Sequence, residues 1–329
     1  MLLIILIVIC ALAFDFINGF HDTANAIATV VSTRVLSPRA AIIMAASLNF
    51  VGALCFTKVA KTIAEGLVTG ANQHMILSAI LGAIVWNLIT WYFGIPSSSS
   101  HALVGGLVGA ALIHGGVRSV KWDGVLSKVV FPLVTSPVAG FVLGLVLMSG
   151  IIYFIAHAHA ARAGKTFRTL QVVSSAFMSF THGSNDAQKS MGIIALAVAS
   201  YGGHAVAKTE IPLWVKLACA IAMALGTSMG GWRIIHTMGS RILRLDPVHG
   251  FAAEMTASCV ILYATITGKS VSTTHVISGS IFGVGAAKRL SAVRWQVART
   301  MVTAWVLTIP ATATVAAGIY LLTGALGVK

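Results

Sequence analysis

Two copies of an aspartate motif are the residues of this chain best suited to ion chemistry. Asp22 lies in Gly19-Phe20-His21-Asp22-Thr23-Ala24-Asn25, and Asp186 follows 164 positions later in Gly183-Ser184-Asn185-Asp186-Ala187-Gln188-Lys189. An aspartate flanked by apolar helix costs at least about 2.5–3.5 kcal/mol on membrane-insertion scales. Both carboxylates are therefore expected to face a cavity or a partner group rather than lipid, in two related half-domains.

A hydroxyl-rich run also occurs in each half. Pro96-Ser97-Ser98-Ser99-Ser100-His101 and Ser270-Val271-Ser272-Thr273-Thr274-His275 each precede a glycine-rich apolar segment. Consecutive hydroxyls, with the free amides of a helix's first turn, form a cradle for an anion. A tetrahedral oxyanion needs several convergent donors, which two cradles supply. The alternative is that these residues are helix caps or hydroxyls bonded back to backbone carbonyls.

The glycine and polar residues around each aspartate predict a helix that unwinds there and frees backbone groups for substrate and cation. Asn25 lies within one turn of Asp22, so both share a helix face. Lys189 occupies the position of Asn25 in the second copy, where an ammonium group pairs with an aspartate or attracts an anion. The alternative is that the aspartates are helix caps or form a structural salt bridge with Lys189. Asp15 has no aspartate as its repeat mate and is left outside the site.

The surrounding chain has the composition of a membrane protein. Hydrophobic residues make up 57% and charged residues 9%, with a mean hydropathy of +0.91, whereas soluble domains have about 45–50% apolar and about 25% charged residues. Strict period-2 alternation is absent, which favours helical spans over a barrel. A spanning helix needs about 20 apolar residues, and about ten runs qualify. The firmest predicted spans are 40–56, 76–93, 129–156, 213–231, 251–267 and 301–322.

Other landmarks repeat in the same order at an offset of 173 or 174 residues. They are Pro38 with Pro212, Gly94 with Gly268, Gly105 and Gly109 with Gly279 and Gly283, and Thr135-x-Pro137 with Thr308-x-Pro310. An insertion of about ten residues around 201–210 explains why this offset is larger than the offset of 164 between the two aspartates. We predict an N-terminal repeat over 1–160, a short basic connector over 161–170 and a C-terminal repeat over 171–329.

The net charge of +14 arises from 22 basic and 8 acidic residues, and the basic residues gather in predicted connectors. Membrane proteins concentrate Lys and Arg in cytoplasmic loops and headgroup zones, so nucleic acid is not implied as a partner. The acid-free run 157–168 is the predicted cytoplasmic connector. The four cysteines lie singly in apolar segments and are predicted to be packing residues. The first apolar run, 1–14, is expected to belong to the mature protein.

The motifs resemble the signature copies and hydroxyl-rich segments of the inorganic phosphate transporter (PiT) family, in the form typical of bacterial low-affinity phosphate permeases. The resemblance rests on Gly19-Phe20-His21-Asp22-Thr23-Ala24-Asn25-Ala26, Gly183-Ser184-Asn185-Asp186-Ala187-Gln188-Lys189, Trp91-Tyr92-Phe93-Gly94-Ile95-Pro96-Ser97-Ser98-Ser99-Ser100-His101 and Val271-Ser272-Thr273-Thr274-His275. It implies an all-α integral membrane protein of two inverted repeats of transmembrane helices, with discontinuous helices and re-entrant hairpins at a central site.

The same resemblance implies a secondary active symporter that imports inorganic phosphate by alternating access, coupled to a proton or sodium gradient. Bacterial members of this kind are usually assigned proton coupling, with divalent-metal phosphate as a substrate. We expect no enzyme activity, no cofactor beyond the coupling cation and no certain resident metal. The expected location is a bacterial inner or plasma membrane, crossed several times and in contact with lipid. The small-residue face Gly140-x-x-x-Gly144 permits packing within or between chains, so a homodimer is left as an alternative.

The resemblance also assigns roles to the repeated motifs. The residues predicted to bind phosphate are Ser98, Ser99, Ser100, Ser272, Thr273, Thr274, Asn25 and Lys189. The residues predicted to bind the coupling ion or proton are Asp22, Asp186, Asn185 and His21. A carboxylate repels phosphate unless a cation or proton lies between them, so neither ligand binds well alone. Lys189 departs from the Asn of many relatives and argues against sodium coordination by the second copy. The connector is also shorter than the long hydrophilic loop common in the family.

Three rival functions have distinct expectations. A carrier for sulfate or another tetrahedral oxyanion would keep the same fold and site. A channel would need rings of like residues from several subunits, whereas paired aspartates in one chain fit a carrier. A membrane aspartyl protease also needs two aspartates, but it places them in distinct acid and base environments, unlike these matched motifs.

Overall fold

The computed structural model describes residues 1–155, 160–202 and 211–327, with the side chains of 160–163 left out. The acid-free run 157–168 and the predicted insertion around 201–210 therefore lie partly outside the described residues, whereas the predicted connector 161–170 lies at the beginning of the helix Ala160–Gly202. The described part is all-α except for one isolated bridge between Val68 and Val120, which confirms the predicted fold class. Six of its helices are long and apolar enough to span a membrane, and a seventh span is possible if one pair bent by 61° counts as one.

Thirteen α-helices follow one another in the described ranges, joined at some ends by short 3-10 and π turns. They are α1 (Leu2–Ser32), α2 (Pro38–Cys55), α3 (Lys58–Gly66), α4 (Gln73–Phe93), α5 (Ser99–Gly115), α6 (Trp122–Val125), α7 (Phe131–Ile155), α8 (Ala160–Gly202), α9 (Leu213–Met229), α10 (Trp232–His236), α11 (Pro247–Thr267), α12 (Thr273–Lys288) and α13 (Trp295–Ala325). Five of the six predicted spans fall in candidate membrane-spanning helices, and the sixth, 213–231, is the first arm of the bent pair formed by α9 and residues 232–241.

Local sequence explains where the long helices begin and end. Asn72 caps α4, because its side chain accepts a hydrogen bond from the amide of Met75 at 2.8 Å. Asp246 caps α11 in the same way, accepting from two amides of the first turn at 3.0 Å, with a proline in that turn. Both helices end at a left-handed glycine, Gly94 with φ +65° and Gly268 with φ +72°.

The two aspartate motifs lie within unbroken helices. Asp22 is in the continuous helix α1 and Asp186 is in the continuous helix α8. The predicted unwinding at these motifs is therefore wrong. The physical reason is that side chains from other helices meet the polar groups, so the backbone keeps its own hydrogen bonds. The neighbouring glycines serve close helix packing and have helical backbone conformations.

The helix breaks occur instead in the hydroxyl-rich runs, as part of two helical hairpins. Residues 94–98 separate α4 from α5, and residues 268–272 separate α11 from α12. A threonine from a neighbouring segment donates to the carbonyl of each hairpin glycine. Thr237 Oγ1 lies 3.0 Å from Gly94 O, and Thr62 Oγ1 lies 2.8 Å from Gly268 O. Discontinuous helices are thus present, and α5 and α12 begin at the predicted hydroxyls.

Equivalent helices of the two halves make equivalent close contacts. A Cβ atom on Gly19 of α1 would lie 2.4 Å from Met223 O of α9. A Cβ atom on Gly183 of α8 would lie 2.2 Å from Asn49 O of α2. Gly183 follows Gly19 at the aspartate offset of 164, and Met223 follows Asn49 at the landmark offset of 174. The repeat therefore extends to reciprocal packing between halves, while the inverted orientation of the halves stays a prediction.

The last helix of each half also packs on the other half. A Cβ on Gly109 of α5 would meet Ala313 O of α13 at 2.1 Å, and one on Gly283 of α12 would meet Phe141 O of α7 at 2.0 Å. Two of the glycines found by the repeat are therefore positions of closest helix approach, where only a hydrogen atom fits.

Gly109→Ala is expected to destabilise the folded protein by about 1–3 kcal/mol, because the methyl group must push α5 away from α13. Gly150→Ala is the matched control, since a Cβ on Gly150 of α7 meets nothing within 4 Å. Thermal unfolding of both variants, purified in the same detergent, compares the two effects. Equal melting temperatures for both variants would contradict the packing described above.

Candidate functional site

The two aspartates meet in one buried cluster between the two helical hairpins. Asp22 is 2% exposed and Asp186 is fully buried. One ligand atom from each of Asp22, His182 and Asp186 lies within 4.8 Å of the others. Two carboxylates this close repel each other in a medium of low dielectric constant unless positive charge or protons lie between them. The cluster therefore has the chemistry of a cation or proton site.

Asp22 is held by one residue of its own helix and one of the first hairpin. His21 Nδ1 lies 2.5 Å from Asp22 Oδ1, and the Ser99 hydroxyl lies 2.7 Å from Asp22 Oδ2. The other ring nitrogen of His21 lies 3.0 Å from Thr90 Oγ1 on α4. The same Ser99 hydroxyl is 2.6 Å from Asn18 Oδ1. The start of α5 is thus fixed directly to the first aspartate motif.

Asp186 has a matching contact with the second hairpin and a different partner on its own helix. Thr273 Oγ1 donates to Asp186 Oδ2 at 3.2 Å, which is the counterpart of the contact from Ser99 to Asp22. Lys189 Nζ donates to Asp186 Oδ1 at 2.5 Å, and its side chain is fully buried. His182 Nε2 is 3.3 Å from Asp186 Oδ2 without hydrogen-bond geometry.

Asn25 joins the first aspartate helix to the second hairpin. Its Nδ2 donates to Thr273 Oγ1 at 3.1 Å and to Thr274 Oγ1 at 2.9 Å. Asn185 contacts the same hairpin from α8, since its Nδ2 lies 2.9 Å from Thr265 Oγ1. The predicted phosphate and coupling-ion residues are therefore interleaved, because one hydroxyl, that of Thr273, contacts members of both sets.

The remaining hydroxyls lie at the hairpin turns. Ser98 Oγ accepts from the His101 amide at 3.2 Å, and Ser272 Oγ accepts from the His275 amide at 3.3 Å, so both residues cap their helices. Ser100 Oγ donates to Val271 O at 3.2 Å and connects one hairpin turn to the other. The two predicted cradles are thus adjacent, and they lie beside both aspartate motifs.

Several buried polar atoms of this region have no hydrogen-bond partner among the described residues. They include the side-chain carbonyl oxygens of Asn25 and Asn185 and the amide nitrogen of Asn18. Buried polar groups are nearly always paired, so unpaired acceptors and donors gathered at one place indicate a ligand site. Asp15, left outside the predicted site, is also buried, and neither of its carboxylate oxygens makes a hydrogen bond in the described ranges.

Sequence reasoning did not select several residues that contact the site. The principal one is His182, which is fully buried and also contacts Asn49 Oδ1 through Nδ1 at 3.2 Å. The repeat carried a signal for it, since His182 is the repeat mate of Asn18, whose side-chain oxygen lies 2.6 Å from the Ser99 hydroxyl. Thr90 and Thr265 gave no such signal, because each lies in an apolar helix far from its partner in the chain.

Comparisons with known proteins agree with the geometry. A family model described as the phosphate transporter family matches residues 18–316. The chain is 52% identical to a probable low-affinity inorganic phosphate transporter of Bacillus subtilis (strain 168), over 97% of each protein. It is 49% identical to a probable low-affinity inorganic phosphate transporter of Rhizobium meliloti (strain 1021), over 97% of this chain and 96% of that protein. A solved structure described as the sodium-dependent phosphate transporter matches with a TM-score of 0.89 at 26% identity, over 99% of this chain and 100% of that one.

Proposed function

The chain belongs to the phosphate transporter family, and on that premise we propose that it is a symporter that imports inorganic phosphate with a proton or sodium ion. It is a multi-pass membrane protein and a transporter rather than an enzyme. The observation that carries the symport proposal is the meeting of two buried carboxylates with the hydroxyl-bearing starts of α5 and α12. Groups that can donate to an anion and groups that can bind a cation then lie in one buried cluster.

Phosphate binding and cation binding depend on each other in this arrangement. Phosphate would be held by the first-turn amides of α5 and α12 and by the hydroxyls of Ser99, Ser100, Thr273 and Thr274. The carboxylate of Asp22 accepts from Ser99, so a phosphate at Ser99 would lie beside a negative charge. A cation or proton on the carboxylates removes that repulsion. Each ligand therefore raises the affinity for the other, as symport requires.

The substrate can also be a complex of phosphate with a divalent metal. Asp22, His182 and Asp186 supply two carboxylates and an imidazole within 4.8 Å, a donor set that suits a divalent cation carried as cargo. The Lys189 ammonium group competes with a divalent metal for Asp186, which favours transport of the free phosphate anion with a single coupling cation. Adding Mg²⁺ or Zn²⁺ to the transport assay separates the two forms of the substrate.

We propose alternating access as the transport mechanism, with the two hairpins as the elements that move around the central cluster. The first hydroxyl of α5 and the first hydroxyl of α12 each contact an aspartate through a side-chain hydrogen bond, which exchanges more readily than the packed glycine contacts between α5 and α13 or between α7 and α12. The proposed location is the cell membrane of a bacterium.

A homodimer would have to use a surface other than the small-residue face of α7. Gly140 and Gly144 pack within the chain, where a Cβ on them would lie 2.6 Å from Val276 O and 2.8 Å from Ser280 O of α12.

Uptake of radiolabelled phosphate into proteoliposomes of the purified protein tests the proposal. We expect phosphate uptake driven by an imposed proton gradient or by a sodium gradient, with little inhibition by sulfate. The gradient that drives uptake names the coupling ion. Uptake of sulfate in place of phosphate would show that the same site carries the rival oxyanion. Phosphate uptake that neither gradient stimulates would contradict symport.

A further inference from the structure

The two aspartate motifs of this chain differ in charge at one position that contacts the site. The first copy has Asn25 three residues after Asp22, and the second has Lys189 three residues after Asp186. The copies also differ in four uncharged or imidazole positions, namely Phe20 and Ser184, His21 and Asn185, Thr23 and Ala187, and Ala24 and Gln188. Gln188 is structural, since its Oε1 accepts from the amides of Val59 and Ala60 at the start of α3. Of these five differences, Lys189 alone places a permanent charge against an aspartate carboxylate.

The lysine and asparagine present opposite chemistry to a cation. Asn25 Oδ1 is a buried carbonyl oxygen without a hydrogen-bond partner in the described ranges, on the same helix face as the Asp22 carboxylate. A carboxylate with an amide oxygen is a typical ligand set for a hard cation. At the equivalent place in the second copy, an ammonium group already lies 2.5 Å from Asp186 Oδ1.

From this asymmetry we infer that Lys189 is a tethered cation, which permanently fills the second cation position, so that the exchangeable cation binds only at Asp22. The inference rests on the proposed function and refines it. Asp186 keeps its other oxygen toward Thr273 and His182 and so still shapes the site, but it does not take up and release an ion.

The charge balance of the cluster supports one exchangeable cation. With the imidazoles of His21 and His182 neutral and the buried carboxyl of Asp15 protonated, Asp22, Asp186 and Lys189 sum to one negative charge. One monovalent cation or proton at Asp22 then neutralises the cluster before phosphate arrives. Without the ammonium group the two carboxylates would need two exchangeable cations to reach the same state. A purely structural role explains the pair less well, because buried ion pairs rarely stabilise a fold more than apolar residues of similar volume do.

Cation dependence of phosphate uptake tests the inference in proteoliposomes of the full-length protein. The driving cation is whichever of H⁺ or Na⁺ stimulates wild-type uptake. Wild-type initial rates should rise with a Hill coefficient of about 1 in that cation, and Lys189→Asn should raise the coefficient to about 2, because Asp186 gains an exchangeable cation. The Lys189→Asn variant reproduces the residue of the first copy.

Lys189→Asn leaves the buried Asp186 carboxylate without its ion-pair partner, and that variant can fail to fold. A second variant keeps the test decisive in that case. In Asp186→Asn combined with Lys189→Asn both charges are gone, so the fold avoids an uncompensated charge and uptake should keep a Hill coefficient of about 1. A wild-type coefficient of about 2 overturns the inference, as does a folded and transporting Lys189→Asn protein whose coefficient stays at about 1. Loss of all cation dependence in the double variant overturns it as well. A wild-type protein that takes up phosphate without either cation would instead contradict the proposed symport, and the inference would fall with it.

Discussion

Replacing Asp22 with asparagine is expected to abolish gradient-driven accumulation of phosphate while the protein still folds. The amide keeps the shape of the carboxylate. Its oxygen can accept from either Ser99 or His21, and its NH2 group can donate to the hydroxyl oxygen or the unprotonated ring nitrogen of the other. It carries no charge for the coupling cation, however. The loss of a buried ionic partner is worth about 3 kcal/mol or more, which corresponds to a fall of at least about 100-fold in the coupled uptake rate.

Asp123→Asn is the control for Asp22→Asn. Asp123 lies in α6 and is exposed, and its carboxylate makes no hydrogen bond or ion pair with the hairpin hydroxyls or the aspartate motifs in the described residues. Uptake of radiolabelled phosphate against its gradient, measured across a range of external pH, compares the two variants. An Asp22→Asn protein that accumulates phosphate with the pH dependence of the wild type would refute the role given to this carboxylate.

Much of the fold could be predicted because its signals are local or periodic. Apolar runs of spanning length gave five of the six candidate membrane-spanning helices, all except α1. The repeated landmarks gave glycines such as Gly109 and Gly283, which lie at the closest helix contacts. The halves' reciprocal pairing, α1 with α9 and α2 with α8, was not predictable. It depends on which surfaces meet in three dimensions, and apolar helices of similar composition offer many alternatives.

The site was predictable in its residue types but not in its connections. The repeat located both aspartates and both hydroxyl runs. The same polar residues led to a wrong prediction of unwound helices, because their partners lie far away in the chain. Ser99 contacts Asp22 across 77 positions, and Thr273 contacts Asp186 across 87. Since these hairpin hydroxyls satisfy the carboxylates, α1 and α8 can remain helical. His182 was missed for a similar reason, as its partner Asn49 lies 133 positions away.

Replacing Thr273 with valine is expected to weaken phosphate binding more than it slows transport at saturating phosphate. The hydroxyl of Thr273 contacts Asn25 Nδ2 at 3.1 Å and Asp186 Oδ2 at 3.2 Å, at the first residue of α12. Valine keeps the volume and the β-branch but removes the hydroxyl. A hydrogen bond to a charged group is worth about 1.5–3 kcal/mol, so we expect the KM for phosphate to rise by about 10- to 100-fold.

Two further variants separate this role from a structural one. Thr273→Ser retains the hydroxyl and should restore a KM close to that of the wild type. Thr303→Val on α13 is the matched control, because its exposed hydroxyl donates only to Arg299 O of its own helix. Initial uptake rates over a range of phosphate concentrations give KM and the maximal rate separately. If Thr273→Val lowered the maximal rate and left KM unchanged, the hydroxyl would act in hairpin movement rather than in holding phosphate. Coupling between phosphate and the cation would then depend on Ser99, because that hydroxyl contacts the carboxylate of Asp22 directly.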